Sequence, residues 1–370
     1  MSNEGLAVTD QPLTRREMLV RGAGAVAAAG AFTAGAFWLH DPTGQAGLDT
    51  GTRKELVPKN FFAEVDFPQS APRISIATGG ADQTEQMVRA AVAGLAPSRG
   101  MAQFISPGDV VLIKPNVGFD RPPYLGATTH PEVVRGVIRL CKEAGARRVL
   151  VADNPIEAPE ACFARSGIGD VVQAEGAGLF VPTTADFVTL VLRSRRPDRL
   201  QGEALDRWPV LGPPLAQATK IIGVAPIKDH NLCSASMNLK NWYGLLGGRR
   251  DQFHQAIHDL ISDLALAFSP TLVIADATRV MMSNGPTGGR LSDVRPGGLL
   301  GRAAVVASVD PVACDAWCYE NLLGRDPANL AYLDLASRKI ALQIAQGAKR
   351  FAERDWRVYA REGRIVSAAV

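Results

Sequence analysis

Apolar residues in this chain fall into short uniform runs, and most runs are followed by a segment in which apolar positions recur about every 3.6 residues. Uniformly apolar runs are typical of strands that are covered on both faces of a sheet, whereas the recurring pattern predicts amphipathic helices. The predicted strands are 73–78, 109–117, 147–152, 187–192, 271–276 and 303–308, together with the run from 220 that ends in Lys228-Asp229-His230.

The alternation of these strands with helices predicts the fold class. Strand, helix and strand in succession imply right-handed crossovers, so we expect an α/β fold with a mostly parallel sheet flanked by helices, Rossmann-like in its layering. Local signals mark some helix starts, as where Asp310 and Pro311 occupy the cap and first-turn positions. A small hairpin from Trp356 to Val366, turning at Glu362-Gly363, is predicted near the C-terminus.

The first residues have a different pattern. Arg15 and Arg16 precede an apolar run of small residues, 22–39, and Ala34-Gly35-Ala36 offers a small-x-small cleavage site. This arrangement resembles a twin-arginine export signal, and the alternative is a short N-terminal membrane anchor. In both cases we expect a periplasmic protein, exported by the twin-arginine route and either soluble or tethered to the membrane.

The pattern divides the chain into three parts. Residues 1–36 are the predicted signal or anchor. Residues 37–72 contain Pro and Gly without a clear period and are predicted to be a linker and an N-terminal arm. Residues 73–370 are predicted to form the α/β domain.

Composition excludes several classes of protein. Of 370 residues, 46% are hydrophobic and 21% are charged, which is ordinary for a globular protein. The formal net charge of +3 is small and its charges are interspersed, so a nucleic-acid partner is not expected. The five cysteines are scattered and form no CxxC, which argues against an iron–sulfur ferredoxin module and against a disulfide framework.

Polar side chains follow four of the predicted strands at their carboxyl ends. In a parallel sheet these ends share one edge, so groups that are distant in sequence can converge there. Lysine is a strong point charge and histidine titrates near neutral pH. The set suits either a carboxylated or phosphorylated ligand or a divalent metal held by His and Asp. Its members are Lys114, Asn116, Asp153, Lys228, His230 and Asp276.

Further candidates follow the strand that ends at His230. A polar loop leads to Lys240-Asn241-Trp242-Tyr243-Gly244, and a helix predicted over 252–268 carries His254 and His258 one turn apart. The two histidines lie either beside a buried helix face, with a packing role, or next to an anion or metal site. His130, at the start of a predicted helix from 131 to 144, is either a cap or a ligand-binding residue.

Five segments carry a resemblance to a known family: GDVVLIKPN at 108–116, Thr129-His130-Pro131, Lys228 with His230, KNWYG at 240–244 with His254, and VDPVA at 309–313. Together they resemble the family called domain of unknown function 362, over most of the chain from about Arg73 to Gly347. Some members are joined to ferredoxin-like iron–sulfur segments, and because this chain has no such cysteine cluster, an iron–sulfur cofactor is not expected. The family has no established reaction, so the resemblance implies a site without naming its chemistry.

Two functional hypotheses remain. The first is an exported enzyme that acts on an anionic small molecule, with redox, isomerase or lyase chemistry as options and a divalent metal as one option for a cofactor. Its predicted catalytic residues are His230, His254 and Lys240, and its predicted ligand-binding residues are Lys114, Asn116, His130, Lys228 and Asn241. The second is a periplasmic ligand-binding or cofactor-assembly protein without catalysis. The identity of any protein partner stays open.

A further expectation concerns the lysines at the ends of the predicted strands. Lysine is seldom fully buried without a partner, so Lys114 and Lys228 should each reach solvent, a carboxylate or a bound anion. We expect the two to line one pocket together with the other residues of the predicted site.

Overall fold

The computed structural model describes residues 55–68, 70–192 and 204–345, with short pieces at 41, 43–45, 48, 357 and 364–365. The described strands and helices belong to one compact unit, Thr43–Val370. The predicted export signal lies outside the described residues, and so does most of the predicted C-terminal hairpin.

The described strands form one large sheet and two small ones. In chain order they are β1 Glu55–Leu56, β2 Lys59–Asn60, β3 Ile74–Gly79, β4 Val110–Lys114, β5 Arg148–Ala152, β6 Gly178–Phe180, β7 Phe187–Val191, β8 Arg207–Leu211, β9 Lys220–His230, β10 Ser234–Ser236, β11 Phe268–Ser269, β12 Leu272–Met281, β13 Val294–Arg295, β14 Ala303–Ser308 and β15 Arg364–Ile365.

Helices lie between the strands. The α-helices are α1 Thr84–Leu95, α2 Pro131–Glu143, α3 Pro159–Arg165, α4 Ile168–Ala174, α5 Gly212–Gln217, α6 Asn238–Asn241, α7 Ile257–Ala267, α8 Pro311–Asn321 and α9 Ala331–Ala345. The 3-10 helices are Ala81–Gln83, Gly100–Gln103, Pro123–Leu125, Thr184–Asp186, Trp242–Leu245, Arg250–Ala256, Leu291–Asp293, Gly298–Leu300 and Pro327–Asn329.

The large sheet confirms the predicted fold class. Its strands lie in the order β15, β3, β14, β12, β9, β4, β5, β6, and among these strands every neighbouring pair is parallel except the two pairs made by β14. The chain passes from β12 to β14 through turns and 3-10 helices without an α-helical crossover, and a connection of that kind joins antiparallel strands. The sheet is therefore mostly parallel, with one reversed strand.

Apolar side chains cover both faces of the large sheet. On β9, Ile221 and Ile227 pack into the apolar layer on one face, whereas Ile222 and Val224 pack into the layer on the other face. Burial on both faces explains why the strand sequences are uniformly apolar instead of alternating with polar residues. Polar residues are then left to the strand ends, and the candidate site lies at the carboxyl end of β4, β5 and β9.

The region predicted as one helix over 252–268 has two parts. Residues Arg250–Ala256 form a 3-10 helix, and α7 begins only at Ile257 because Ala256, with φ −127° and ψ 41°, departs from helical geometry. His254 and His258 therefore do not lie one turn apart on a single α-helix, and that prediction was wrong.

Two further strands lie at the edge of the large sheet and in a small sheet. The strand Arg364–Ile365 pairs in parallel with Ser75 and Ile76 of β3 and extends the large sheet at that edge. The predicted strand near 187–192 is present as Phe187–Val191, in a small sheet with β1 and β8.

Within the described part of the chain, no helix is both long enough and apolar enough to cross a membrane.

Candidate functional site

A buried ion pair joins the ends of β4 and β5. Lys114 is the last residue of β4 and Asp153 follows β5, and Nζ of Lys114 lies 2.8 Å from Oδ1 of Asp153. Neither side chain is exposed to solvent by more than 2%. Burial lowers the pKa of Lys114 to about 8, and the charge of Asp153 opposes that effect. Asp153 also accepts hydrogen bonds from the backbone N–H groups of Val117 and Asn154, so it is fully used by protein groups.

Two asparagines connect Lys114 to a second buried lysine. Lys114 donates to Oδ1 of Asn241 at 2.7 Å, and Nδ2 of Asn241 donates back to the backbone carbonyl of Lys114 at 3.0 Å. Nδ2 of Asn116 lies 3.5 Å from Oδ1 of Asn241, and Oδ1 of Asn116 accepts from Nζ of Lys228 at 3.1 Å. We call Lys114, Asn116, Asp153, Lys228 and Asn241 the lysine–asparagine network.

Lys228 is buried without a negatively charged partner. Its side chain is 1% exposed, and Nζ donates to two neutral oxygens, Oδ1 of Asn116 and the carbonyl of Ala127, while it lies 5.2 Å from the ring centre of Phe119. No carboxylate of the described residues lies within ion-pair distance of it. Burial, followed by the charges of Lys240 and Lys114, lowers the pKa of Lys228 to about 7.

Asp315, on α8, holds the helix that carries Lys240 and Asn241. Its carboxylate accepts hydrogen bonds from the backbone N–H groups of Asn238 and Leu239, at 2.9 and 3.0 Å, and from the side chain of Asn238. A carboxylate at a helix start satisfies N–H groups that have no partner within the helix. Burial raises the pKa of Asp315 to about 7, and these hydrogen bonds oppose the rise. Sequence reasoning missed Asp315, although a carboxylate directly between Ala, Cys and Trp residues of α8 was a usable signal.

Three basic side chains surround the ring of Tyr243. Nζ of Lys240 lies 5.0 Å from the ring centre, the guanidinium of Arg250 lies 5.7 Å from it, and the ring of His254 stacks against it at 5.9 Å. We call these four residues the Tyr243 cluster. Arg250 is buried and donates to the backbone carbonyls of Tyr243, Leu246, Asn154 and Pro155. Because those acceptors are neutral, Arg250 keeps its full positive charge beside the ring.

An open cleft of about 630 Å³ borders the Tyr243 cluster. Tyr243, Arg250 and His254 line one part of it, and Asn154, Thr183 and Thr184 are among the residues that line the rest. Asn154 is the neighbour of Asp153, so the cleft lies next to the lysine–asparagine network as well. A second cavity, of about 50 Å³, lies among largely apolar residues such as Phe62, Leu239 and Phe268 and offers little for chemistry.

His230 is buried and neutral. Its Nδ1 accepts a hydrogen bond from the backbone N–H of Leu232 at 3.1 Å, which leaves the proton of the neutral ring on Nε2. Burial, and then the charges of Lys240 and Lys228, depress the pKa of His230 to about 2. His230 can therefore donate a hydrogen bond from Nε2, but it is a poor base.

The structure gives His130 the capping position. Its Nδ1 accepts from the backbone N–H of Glu132 at the start of α2, and its own backbone N–H donates to Asp276 at 2.7 Å. Among the described residues, no hydrogen bond or ion pair joins its side chain to the lysine–asparagine network. The sequence left open whether His130 is a helix cap or a ligand-binding residue. The capping role accounts for its conformation.

The two histidines considered as metal ligands contact different groups. His254 stacks against Tyr243, whereas His258 stacks against Tyr332 with ring centres 6.0 Å apart. Nowhere in residues 55–68, 70–192 or 204–345 do three His, Cys, Asp or Glu side chains lie in an arrangement that could hold a metal ion. The geometry of the described residues therefore gives no support to the metal alternative.

Gly244 makes the ion pair sterically feasible. A Cβ at this position would lie 2.2 Å from Oδ1 of Asp153 and 2.6 Å from Nζ of Lys114, which is closer than real Cβ contacts. The carbonyl of Gly244 also accepts from the backbone N–H of Asn154 at 2.8 Å. The KNWYG segment therefore needs glycine at its last position for a local packing reason.

Taken together, the predicted site residues occupy four places. The structure brings Lys114, Asn116, Lys228 and Asn241 into one hydrogen-bonded network and brings Lys240 and His254 to the adjacent Tyr243 cluster. His230 is close enough to Lys240 and Lys228 for their charges to act on it. His130 lies apart at the cap of α2. Lys114, predicted to bind a ligand, is the buried partner of Asp153.

Comparisons with known proteins give a family match and two similar proteins. A family model described as Domain of unknown function (DUF362) matches residues 111–320, a span that includes the lysine–asparagine network and the Tyr243 cluster. The chain is 28% identical over 250 residues to the Thylakoid-associated protein sll1697 of Synechocystis sp., with 64% of this chain and 70% of that protein covered.

A solved structure, the lactate racemase apoprotein from Thermoanaerobacterium thermosaccharolyticum, is also similar to this chain. Sequence identity is 11%, the TM-score is 0.30, and the alignment covers 66% of this chain and 56% of that chain. The alignment therefore spans little more than half the length of that structure. Similarity at this level does not carry fold or function from one protein to the other.

Proposed function

This chain belongs to the family described as Domain of unknown function (DUF362), and we propose that it is an enzyme that acts on an anionic small molecule in the cleft beside Tyr243. Its volume of about 630 Å³ suits a small organic ligand, because typical ligand pockets measure roughly 300–1,000 Å³.

One observation carries the proposal: in the lysine–asparagine network and the Tyr243 cluster, which lie beside the cleft, the basic groups exceed the acidic ones that neutralise them. The cleft itself is lined by Arg250 and His254 and by the carboxylate of Asp251. Lys114 is neutralised by Asp153, but Lys228, Lys240 and Arg250 have no ion-pair partner among the described residues. Burying cationic groups without carboxylate partners is costly, and a site that regularly receives an anion provides the missing charge. The excess is therefore better explained by ligand binding than by packing.

The groups at the cleft suit proton transfer as well as binding. His254 is exposed at the cleft, and burial of its ring edge together with the charge of Lys240 lowers its pKa, so the neutral imidazole is favoured near neutral pH. A neutral imidazole accepts a proton from a bound substrate, and the cations beside it stabilise the negative charge that develops. His230 is restricted to donating a hydrogen bond from Nε2.

The roles of the network residues follow from their burial. Lys114 and Asn241 are inaccessible and hold the ends of β4 and α6 in place, so their contribution is to position the groups around them. Asn116 of the network and Lys240 of the Tyr243 cluster are only partly buried, and in this proposal they are the residues that contact the ligand. Lys228 donates a hydrogen bond to Oδ1 of Asn116 and so fixes the orientation of that amide.

The experiment is a direct binding measurement on the purified full chain. Phosphate, monocarboxylates and dicarboxylates are titrated by calorimetry at low salt, because salt screens the attraction between charged groups. We expect at least one class to bind to the wild type, and Lys240→Met to weaken that binding by about tenfold or more, the loss of one charge-assisted contact of about 1.5–3 kcal/mol. Lys142→Met, which removes an exposed lysine from α2, is the matched control and should leave binding unchanged.

Two results of this experiment would contradict the proposal. If no anion binds to the wild type, or if Lys240→Met and Lys142→Met bind equally well, the proposal is wrong. Binding without turnover of any tested anion would favour the alternative, a periplasmic ligand-binding or cofactor-assembly protein. Location in the periplasm, through the twin-arginine-type segment at Arg15 and Arg16, is part of the same proposal and rests on the sequence.

A further inference from the structure

Lys240 differs from the other two lysines of the site. Lys114 and Lys228 each donate hydrogen bonds to protein oxygens, whereas Nζ of Lys240 has neither a hydrogen-bond partner nor a carboxylate among the described residues. Lys240 is partly buried, and Tyr243, whose ring it lies against, lines the cleft. An amine without a hydrogen-bond partner beside the cleft is available for reaction with a bound ligand.

Burial and a neighbouring charge increase the fraction of Lys240 that is unprotonated. Burial lowers its pKa, and the nearby guanidinium of Arg250 lowers it further, while the thiol of Cys233 acts in the opposite direction. The charge of Lys240 also acts on Lys114, Lys228, His230 and His254, none of which carries negative charge. Enzymes activate lysine nucleophiles in the same two ways, by desolvation and by placing another cation nearby.

We propose that Lys240 is a nucleophile that forms an imine with an anionic carbonyl compound of the 2-oxo acid class bound in the cleft. This inference rests on the proposed function, since it assumes that anions enter the cleft. The carboxylate of such a ligand is attracted by the surrounding cations, and its carbonyl carbon is the electrophile that an unprotonated amine attacks.

The reaction is balanced without an oxidant or reductant. The lone pair of Nζ forms a bond to the carbonyl carbon, the π electrons of the carbonyl move to oxygen, and the oxygen takes up a proton while the nitrogen releases one. The resulting carbinolamine expels its hydroxyl group as water after protonation, and the nitrogen, losing its second proton, completes the C=N bond. The sum is amine plus carbonyl giving imine plus water, and His254 lies at the same ring to transfer protons.

Reductive trapping tests this inference. The full chain is incubated at pH 7.5 with pyruvate and sodium cyanoborohydride, which reduces an imine to a stable amine, and the labelled residue is found by peptide mapping. We expect the label on Lys240 at roughly ten times the level on exposed Lys142, because the bound carboxylate holds the carbonyl group near Nζ and because burial lowers the pKa of Lys240. Acetone, which has the carbonyl group but no carboxylate, should label Lys240 about tenfold less.

Lys240→Arg separates binding from covalent chemistry. Arginine keeps the positive charge but cannot form the imine, so this variant should still bind pyruvate and should lose the label, whereas Lys142→Arg should keep it. The inference is overturned if Lys240 is labelled no more than Lys142 in the wild type, or if wild-type protein binds pyruvate without forming the adduct. In that second case the proposed anion site survives. If neither pyruvate nor any other tested anion binds, both proposals fail together.

Discussion

Gly244 lies directly against the carboxylate of Asp153, and a Cβ at position 244 would stand 2.2 Å from Oδ1. The ion pair between Asp153 and Lys114 occupies space that only glycine leaves free. The buried ion pair therefore depends on a residue that has no side chain.

The first prediction concerns that contact. Gly244→Ala should separate Lys114 from Asp153 and lower the free energy of unfolding by about 3–5 kcal/mol, the range found when a buried pair is broken. Urea denaturation of the variant and the wild type measures the change. Gly118→Ala is the matched control, because a Cβ there would meet only Oδ1 of Asn116 at 3.7 Å, and it should change stability by less than about 1 kcal/mol. Equal effects of both substitutions would contradict the steric account.

The second prediction contrasts the two buried lysines. Lys114→Met leaves the carboxylate of Asp153 buried without its partner and should destabilise the fold by about 3–5 kcal/mol. Lys228→Met removes an amine that faces only neutral oxygens, so at pH 7 it should not lower the free energy of unfolding by more than about 1 kcal/mol. Chemical denaturation of both variants decides the matter. A large loss of stability in Lys228→Met would mean that Lys228 is a structural partner.

The third prediction concerns pH. The pKa of Lys228 is about 7 in the folded chain and about 10.4 in the unfolded chain, so between these values the unfolded state binds more protons. Wild-type stability relative to Lys228→Met should therefore rise as the pH increases from about 7 to about 10. Denaturation of both proteins at several pH values in this window measures the difference. A difference that is constant, or that falls with pH, would show that the amine is charged in the folded protein.

The pattern of the sequence was sufficient to predict the strands and the edge at which polar residues gather. Uniform apolar runs gave β4, β9 and β14, and the Asp310-Pro311 pair gave the start of α8, where Asp310 caps the N–H groups of Val312 and Ala313. Signals of this kind are local, because they depend on backbone geometry and on burial within one element.

Which side chains pair with one another at the candidate site could not be predicted from the sequence in the same way. Lys114 pairs with Asp153, whereas Lys228 has no carboxylate partner within the part of the chain that the structure describes. This difference depends on which strand ends are neighbours and on the directions of the side chains. The apolar period likewise did not reveal that α7 begins only after Ala256, since both segments place apolar residues on a similar face. Tertiary contacts override local propensity at such boundaries.

The fourth prediction concerns Asp315, which sequence reasoning missed. Asp315→Ala removes the acceptor for two backbone N–H groups at the start of α6 and should cost about 1–3 kcal/mol. Because α6 carries Lys240, the variant should also bind anions more weakly. Calorimetric titration beside denaturation measures both effects. Asp326→Ala is the matched control, since Asp326 caps the exposed 3-10 helix Pro327–Asn329 in a similar way and should leave anion binding unchanged.

The fifth prediction concerns export and rests on the sequence alone. Replacing Arg15 and Arg16 together by lysine should stop transport by a twin-arginine pathway and retain the precursor in the cytoplasm, because that pathway recognises the arginine pair. Cell fractionation with immunoblotting checks the outcome. Arg21→Lys alters a nearby arginine outside the pair and should leave export unchanged.

The position of β14 has a consequence for how the protein is made. β3, the first strand of the large sheet in chain order, pairs with β14, so Ile74 and Ser308 are neighbours across an interval of more than half the chain. During synthesis β3 has no partner of its own until the ribosome has added residues 303–308, although β4 and β5 can already pair with each other. Such distant pairing is slow because a long loop must close first. An interrupted chain that stops before β14 would therefore leave β3 with unpaired edges, which makes it a substrate for chaperones and proteases.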